Sequence, residues 1–397
     1  MYTDKDYIIS LRHELHMNPE IGFDLPKTIA LIKRELESMG IGYTEDYARS
    51  SVVATINPEK SHFTIGIRAD MDALPLQEKT DLPFKSRTDG LMHACGHDAN
   101  TAVLLGTAKA LKAMEHTLSC RVMLVFQPAE ELGKGACELV EGGVMDQIDV
   151  IVGLHAEPLL PSGCIGVCKG NAMASARLFR VDFFGKTSHG TTPHLGVDAL
   201  AVAIRTYNNI QYMLTREISP FDKYVCSICK LEGGTSANVI ADNAHMLGTI
   251  RTFDMNLDAF LINRIETIAK NTASEVGAEA KLDVSLLIYD LYNNPYISDL
   301  IISSAQKVIG KDKIADMPQK LSSDDFSFYL TKKPGALIRL GTRNAEKNCT
   351  SALHSNDFMI DEDALQAGAD TFVQFVLDNQ NGIDIAKVEQ SDTRNKS

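Results

Sequence analysis

Two short runs, VMLVF (122–126) and VIVGL (150–154), are apolar at every position. A strand with one wet face alternates in polarity. Unbroken apolar runs of this length therefore point to strands covered on both faces, as in parallel sheets flanked by helices. The surrounding sequence agrees. FTIGIRADMDAL (63–74) reads as a strand, TAVLLGTAKALKAM (101–114) as a helix, and CRVMLVFQPAEE (120–131) and DVIVGLHAEP (149–158) as two further strands. Strand–helix alternation of this kind predicts an α/β fold with a mostly parallel sheet. Two helices are expected ahead of it. The first carries Ile8, Leu11 and Leu15 on one face and stops near Pro19. The second carries Ile29, Ile32, Leu36 and Met39 and ends at Gly40.

The texture changes near residue 174. SARLFRVDFFGK (175–186) alternates, with Phe179, Val181 and Phe183 on one face and charges among the residues between them. A helix (196–214), two strands (223–234 and 244–254), a helix (257–277) and a strand (280–288) follow. The order β-α-β-β-α-β predicts a ferredoxin-like unit with both helices on one side of its sheet. Beyond about residue 288 the α/β texture returns. The 397 residues are too many for one ordinary core. The expected division is a discontinuous first domain, 1–174 and 288–397, with a second domain, 175–287, inserted into it. The tail VEQSDTRNKS (388–397) is expected to be disordered.

Composition narrows the partners. A formal charge of −13 argues against nucleic acid and anionic membrane. No apolar run is long enough to span a bilayer, and the N-terminus lacks a signal-peptide layout, so a cytoplasmic protein is expected. In that compartment the eight cysteines are not expected to form disulfides. Cys226 and Cys229 of CSIC, three apart on a strand, point to opposite faces. Cys164 and Cys168 lie too far apart for one bridge if extended. Both pairs read as small buried residues.

In open α/β sheets function gathers at the carboxyl ends of the strands. Asp70 and Asp72 follow TIGIR, Glu130 and Glu131 follow VMLVFQPA, and His155 follows VIVGL. A loop at 92–98 carries His93, Cys95, His97 and Asp98, and His354 stands in LHSND near the end of the chain. Singly, each has a plain explanation as a surface or core residue, and the paired glutamates could be a solvated helix start. Together they are the thiolate, imidazole and carboxylate groups that bind first-row divalent ions. The rival is a Cys95 nucleophile with His97 as its base. That reading leaves two consecutive glutamates idle. A metal site uses both, one as ligand and one to accept a proton from activated water, and is preferred.

RADMDALP, MHACGHD, FQPAEE, GLHAEP and LHSNDF, with the opening LRHELHMNPEIGFDLPKT, strongly resemble the aminoacylase-like branch of dinuclear metallopeptidases. That branch includes hippurate hydrolases, plant auxin-conjugate hydrolases and N-acetyl-diaminopimelate deacetylases. The resemblance extends to about residue 377. It implies a zinc-exopeptidase-like catalytic domain and an inserted lid that also serves for dimerisation or higher homo-oligomers. It further implies two divalent ions per subunit, zinc or manganese with nickel or cobalt as options. Cys95 would bridge them, and His97, Glu131, His155 and His354 would complete the ligands. Glu130 would be the general base, and Asp72 would orient a ligand. His189 would stabilise the substrate's oxyanion, and Asn238 and Arg251 would contact the substrate. His93 drops out as structural, and Asp98 becomes a helix cap or a partner behind the ligands.

Three positions depart from the family's habit: Asn100 stands where a second histidine is common, Ala241 replaces a proline, and Asp324–Asp325 replace Glu-Asp. None removes an expected ligand. The implied activity is hydrolysis of N-acyl amino acids. A dipeptidase or aminopeptidase with the same metals is the nearest alternative, and a retired scaffold kept for binding is a more distant one.

Overall fold

The computed structural model describes residues 2–60 and 62–392, which fall into two compact units. The first takes in the chain up to Ala172, Tyr292–Pro318 and the residues from Asp324 onward. Among the described residues it holds a mixed sheet in the order Gly42–Thr44, Val52–Ile56, Arg121–Gln127, Thr64–Asp70, Val150–Pro161, Gly335–Arg343, Ile165–Val167 and Ile314–Asp316. The four strands from Arg121–Gln127 to Gly335–Arg343 are mutually parallel, and antiparallel pairings join them to the margins. The apolar runs lie in this parallel centre. Val122, Leu124 and Phe126 pack in one core with Leu11 and Leu15 of helix Lys5–His16, Val103 of helix His97–Ala113 and Phe372 of helix Leu365–Asn379. Met123 and Val125, pointing the other way, are equally buried. Burial on both faces is what an unbroken apolar run requires.

The second unit comprises Met173–Leu291 and Gln319–Ser323. Its antiparallel sheet runs Glu279–Ile288, Ala176–Phe184, Asn243–Thr252, Tyr224–Gly233. Phe179, Val181 and Phe183 pack against helices Ala199–Arg216 and Met255–Ser274, while Leu178 and Phe184 are exposed. The alternation in the sequence is thus the half-covered sheet itself. Helix Ala199–Arg216 starts where Asp198 accepts hydrogen bonds from the Leu200 and Ala201 N–H groups.

Several details differ from the sequence expectations. The units divide at 172/173 and 291/292, and residues 319–323 join the second one. Ala174 N donates to Lys320 O, Lys223 Nζ to Gln319, and Arg251 to Ser323, contacts too remote in sequence to be read from it. In helix Pro26–Ser38 the buried apolar positions are Leu31, Ile32 and Leu36; Ile29 and Met39 are only partly covered. Asp98 does not cap helix His97–Ala113, because the cap is Gly96. The four cysteines are less buried than expected: Cys229 is exposed and Cys164, Cys168 and Cys226 are half-buried, for Cys226 and Cys229 lie on the edge strand Tyr224–Gly233 and Cys164 and Cys168 stand just outside the short strand Ile165–Val167. Val388–Ser391, expected to be disordered, belongs to helix Ile385–Ser391, anchored by buried Val388; 393–397 lie outside the described residues. No helix among the described residues is long and apolar enough to cross a membrane.

Candidate metal centre

All six residues at the centre of the expected metal chemistry lie in the first unit, each held by its own backbone surroundings. Gly96 separates Cys95 from His97 with φ +84°, and a Cβ there would stand 2.8 Å from the Ala156 Cβ. Only glycine meets both conditions comfortably. His97 opens helix His97–Ala113, and its Nδ1 lies 2.8 Å from the Asp72 carbonyl. A carbonyl can only accept, so Nδ1 carries the proton and Nε2 is left as a lone-pair donor. His155 repeats the arrangement, with Nδ1 2.8 Å from Ala156 O. Glu130 and Glu131 sit in a turn after strand Arg121–Gln127, behind Ala129 at φ +53°. The Asp72 carboxylate accepts from both glutamate N–H groups, at 2.9 and 3.2 Å. Asp72 therefore fixes His97 through its backbone and the glutamate turn through its side chain. His354, at φ +63°, is tied to Ala94 O by its N–H at 2.8 Å.

These anchors bring the donor atoms together. Cys95 Sγ lies 3.5 Å from His155 Nε2, and the His97 and His155 rings stand perpendicular with centroids 5.4 Å apart. Glu131 Oε1 is 3.4 Å from His354 Nε2 and 4.0 Å from His97 Nε2. Cys95 groups with His97 and His155, and again with Glu131 and His354, each set having donor atoms within 4.8 Å of one another. His97, Glu130 and Glu131 form a further such set.

The electrostatics describe a site short of positive charge. Burial, and then Asp324 and Asp325, push the Glu130 carboxyl well above its ordinary range. Burial pushes the Cys95 thiol up. It also pushes His155 down to about 4, with Arg339 adding to the effect. Burial, only partly offset by Arg68, raises Asp325 to about 7. Among the described residues, buried His97 Nε2 has no hydrogen-bond partner, and Glu131 Oε1 is met by the His354 ring at 3.4 Å. Orphaned lone pairs of this kind are costly unless something accepts them. A sulfur, imidazole nitrogens and carboxylate oxygens with free lone pairs suit first-row divalent ions, so the donor set fits a metal.

The other expected site residues lie in the second unit. His189 is exposed, with Nδ1 2.7 Å from Thr191 Oγ1. Its loop is tied to that of Asn238, for Gly190 N donates to Asn238 O at 2.8 Å and His189 bridges to Val239. Asn238 is exposed, and its Oδ1 accepts from Ser236 Oγ at 2.7 Å. Arg251 is half-buried and donates to Ser323 Oγ at 3.0 Å; among the described residues no carboxylate pairs with it.

Sequence reasoning missed the charged bed beneath the site. Arg68, fully buried, donates to Gln127 at 2.7 Å, Asp70 at 2.6 Å and Asp325 at 2.9 Å. Asp324 groups with Asp70 and His155, and also with Glu130 and Asp325. An arginine inside the otherwise apolar TIGIR strand was the available signal. His93 is buried outside these donor sets, and burial lowers its ring to about 3.

Comparison with known proteins agrees with this geometry. Residues 66–378 match peptidase family M20/M25/M40. The chain is 37% identical over 372 residues to thermostable carboxypeptidase 2 of Saccharolobus solfataricus, covering 92% of this chain and 93% of that protein. It is 35% identical over 371 residues to N-acetylcysteine deacetylase of Bacillus subtilis, covering 93% and 96%. A crystal structure of a Bacillus subtilis dinuclear metal binding peptidase of the M20 family superposes with a TM-score of 0.82 at 32% identity, over 96% of this chain and 99% of that one. The resemblance read from RADMDALP, MHACGHD and FQPAEE is borne out along nearly the whole chain, which belongs to peptidase family M20/M25/M40.

Proposed function

We propose that this protein is a metal-dependent amidohydrolase that cleaves N-acyl amino acids into a carboxylic acid and an amino acid. The observation that carries the reading is the convergence of buried Cys95, His97 and His155 with half-buried Glu131 and exposed His354 beside Glu130. Cys95, the three imidazoles of His97, His155 and His354 and the Glu131 carboxylate would hold two divalent ions. Zinc and manganese suit the donors, as do nickel and cobalt. Bound there, such ions supply Lewis acidity to the scissile carbonyl and lower the pKa of water.

The chain's own residues do the rest. Glu130 takes a proton from the attacking water onto its carboxylate and passes it to the departing nitrogen as the C–N bond breaks. His189 donates to the carbonyl oxygen as negative charge develops on it, and Asn238 contacts the substrate. Arg251, with no carboxylate partner of its own among the described residues, is free to grip the carboxylate of the amino-acid half. The inserted unit, 175–287 in the sequence reading, would act as lid and dimerisation module, and the setting would be cytoplasmic.

The tests are direct. Purified protein should hold about two divalent ions per chain, the number a shared-thiolate pair requires, and a chelator should abolish its turnover. Turnover that is indifferent to chelation sinks the mechanism. A panel of N-acetyl and N-benzoyl amino acids, N-blocked dipeptides and free dipeptides should show preference for blocked substrates. Similarity to a carboxypeptidase supports one further reading, cleavage of N-blocked peptides, in which the same Arg251 would meet a C-terminal carboxylate. The blocked dipeptides decide it.

A further inference from the structure

Asn100, one of the departures from the family's habit, lies in the first turn of helix His97–Ala113 and is 2% exposed. Both ends of its amide are used. Nδ2 donates to Asp70 Oδ1 at 2.7 Å, and Oδ1 accepts from Ala156 N at 3.1 Å. Each partner stands next to a histidine of the donor cluster. Asp70 ends strand Thr64–Asp70, and its Oδ2 lies 3.7 Å from His97 Nε2. Its carboxylate also belongs to the group formed with His155 and Asp324. Ala156 follows His155, and its carbonyl takes the His155 Nδ1 proton. The fit leaves no slack, because the close approach of Gly96 to the Ala156 Cβ brings the same helix start against the same strand.

From this arrangement we infer that Asn100 is a positioning residue that sets the spacing and orientation of His97 and His155 toward metal. The inference rests on the metal reading given above. Asn100 ties the helix that carries His97 to the strand that carries His155, and holds between them the Asp70 carboxylate, which Arg68 also grips at 2.6 Å. A primary amide suits the task because it offers one donor and one acceptor from the same carbon, with no protonation change at ordinary pH. A histidine at this position, as is common in the family, would place Nδ1 where one of the two amide atoms stands and a carbon where the other stands. It would keep one of the two contacts.

Asn100→Ala and Asn100→His test this, with zinc affinity measured by competition against a chromogenic chelator. The visible spectrum of the cobalt-loaded protein reports ligand geometry independently of turnover. The Ala variant should bind zinc about 10–100-fold more weakly, the usual cost of losing a group that orients a metal ligand, with a shifted cobalt spectrum. The His variant should fall between it and the parent, and it carries the test alone if the Ala variant fails to fold. Parental affinity and an unchanged spectrum in the folded variants overturn the role of Asn100. A parent protein that binds neither zinc nor cobalt removes the metal reading itself, and the inference with it.

Discussion

The first turn of helix His97–Ala113 serves two buried polar clusters that differ in how they are balanced. On one side Asp98 Oδ2 accepts from Arg12 Nε at 2.9 Å and lies 2.7 Å from His16 Nδ1. Arg12 reaches on to Glu362 at 2.8 Å, and His16 to Glu78 at 3.3 Å. Glu78 is held in turn by Thr80 and by the Ser86 N–H. Cation and carboxylate answer one another there, although Asp98 Oδ1 has no hydrogen-bond partner among the described residues. On the other side Cys95, Glu130, Glu131, Asp70, Asp324 and Asp325 outnumber their cationic partners, and His97 Nε2 has no hydrogen-bond partner among the described residues. The same side-chain types, one residue apart on one helix, thus make a brace in one place and a receptor for cations in the other. Charge balance separates the two more clearly than residue identity does.

The contrast can be broken from either side. The largest effect is expected at the open cluster. Glu130→Gln should lower kcat by about 10²–10⁴-fold, the usual worth of a positioned proton carrier, with metal content unchanged; turnover within a few-fold of the parent removes the base role. Next comes the closed cluster, where Arg12→Met removes the arginine from Asp98 and leaves it only His16. Losing one partner of a buried ion pair costs about 3–5 kcal/mol, read as a fall in the denaturation midpoint. A midpoint at the parent's value would mean that the brace carries no stability.

A smaller effect concerns pH. Burial and Arg12 disfavour a charged His16, but Asp98 and Glu78 outweigh them and lift it above its ordinary 6.5. The stability this contributes is complete below about pH 6.5 and is lost as pH rises through the higher folded value. His16→Gln should flatten that decline in a pH series of melting temperatures; an equally steep decline assigns it elsewhere. The smallest effect belongs to exposed pairs such as Arg264–Glu217, joined at 2.6 Å on the second unit. Arg264→Ala should leave the melting temperature where it was, since water already screens both charges. A clear drop there would blur the distinction between buried and exposed pairs.

Sequence alone revealed the donor cluster because strand ends repeat: each apolar run that signals a buried strand is followed by its chemical residue. The alternation of Phe179, Val181 and Phe183 similarly exposed the half-covered sheet. What escaped has a common cause. Arg68 meets Asp325, Arg12 meets Asp98, and Gln319–Ser323 joins the second unit through partners far along the chain, and such pairings leave no local trace. Asp98 was misread for a related reason. An acid one residue into a helix resembles a cap in the sequence, and only the left-handed Gly96 shows that the cap position is already taken. Leu31 replaced Ile29 in the core because helical periodicity gives the face but not its centre.

The pairing of strand Gly335–Arg343 with Val150–Pro161 has a consequence for how the chain is made. The sheet that carries the donors gains this interior strand only after the whole inserted unit has left the ribosome, and His354 emerges later still. The strands Ala176–Phe184 through Glu279–Ile288 find their partners within their own stretch and can close first, as early contacts of short sequence separation do. Synthesis itself thus sets the order of assembly. Cys95 and His97 are separated from His354 by the whole inserted unit, so the donor cluster comes together only after that unit and strand Gly335–Arg343 have been made.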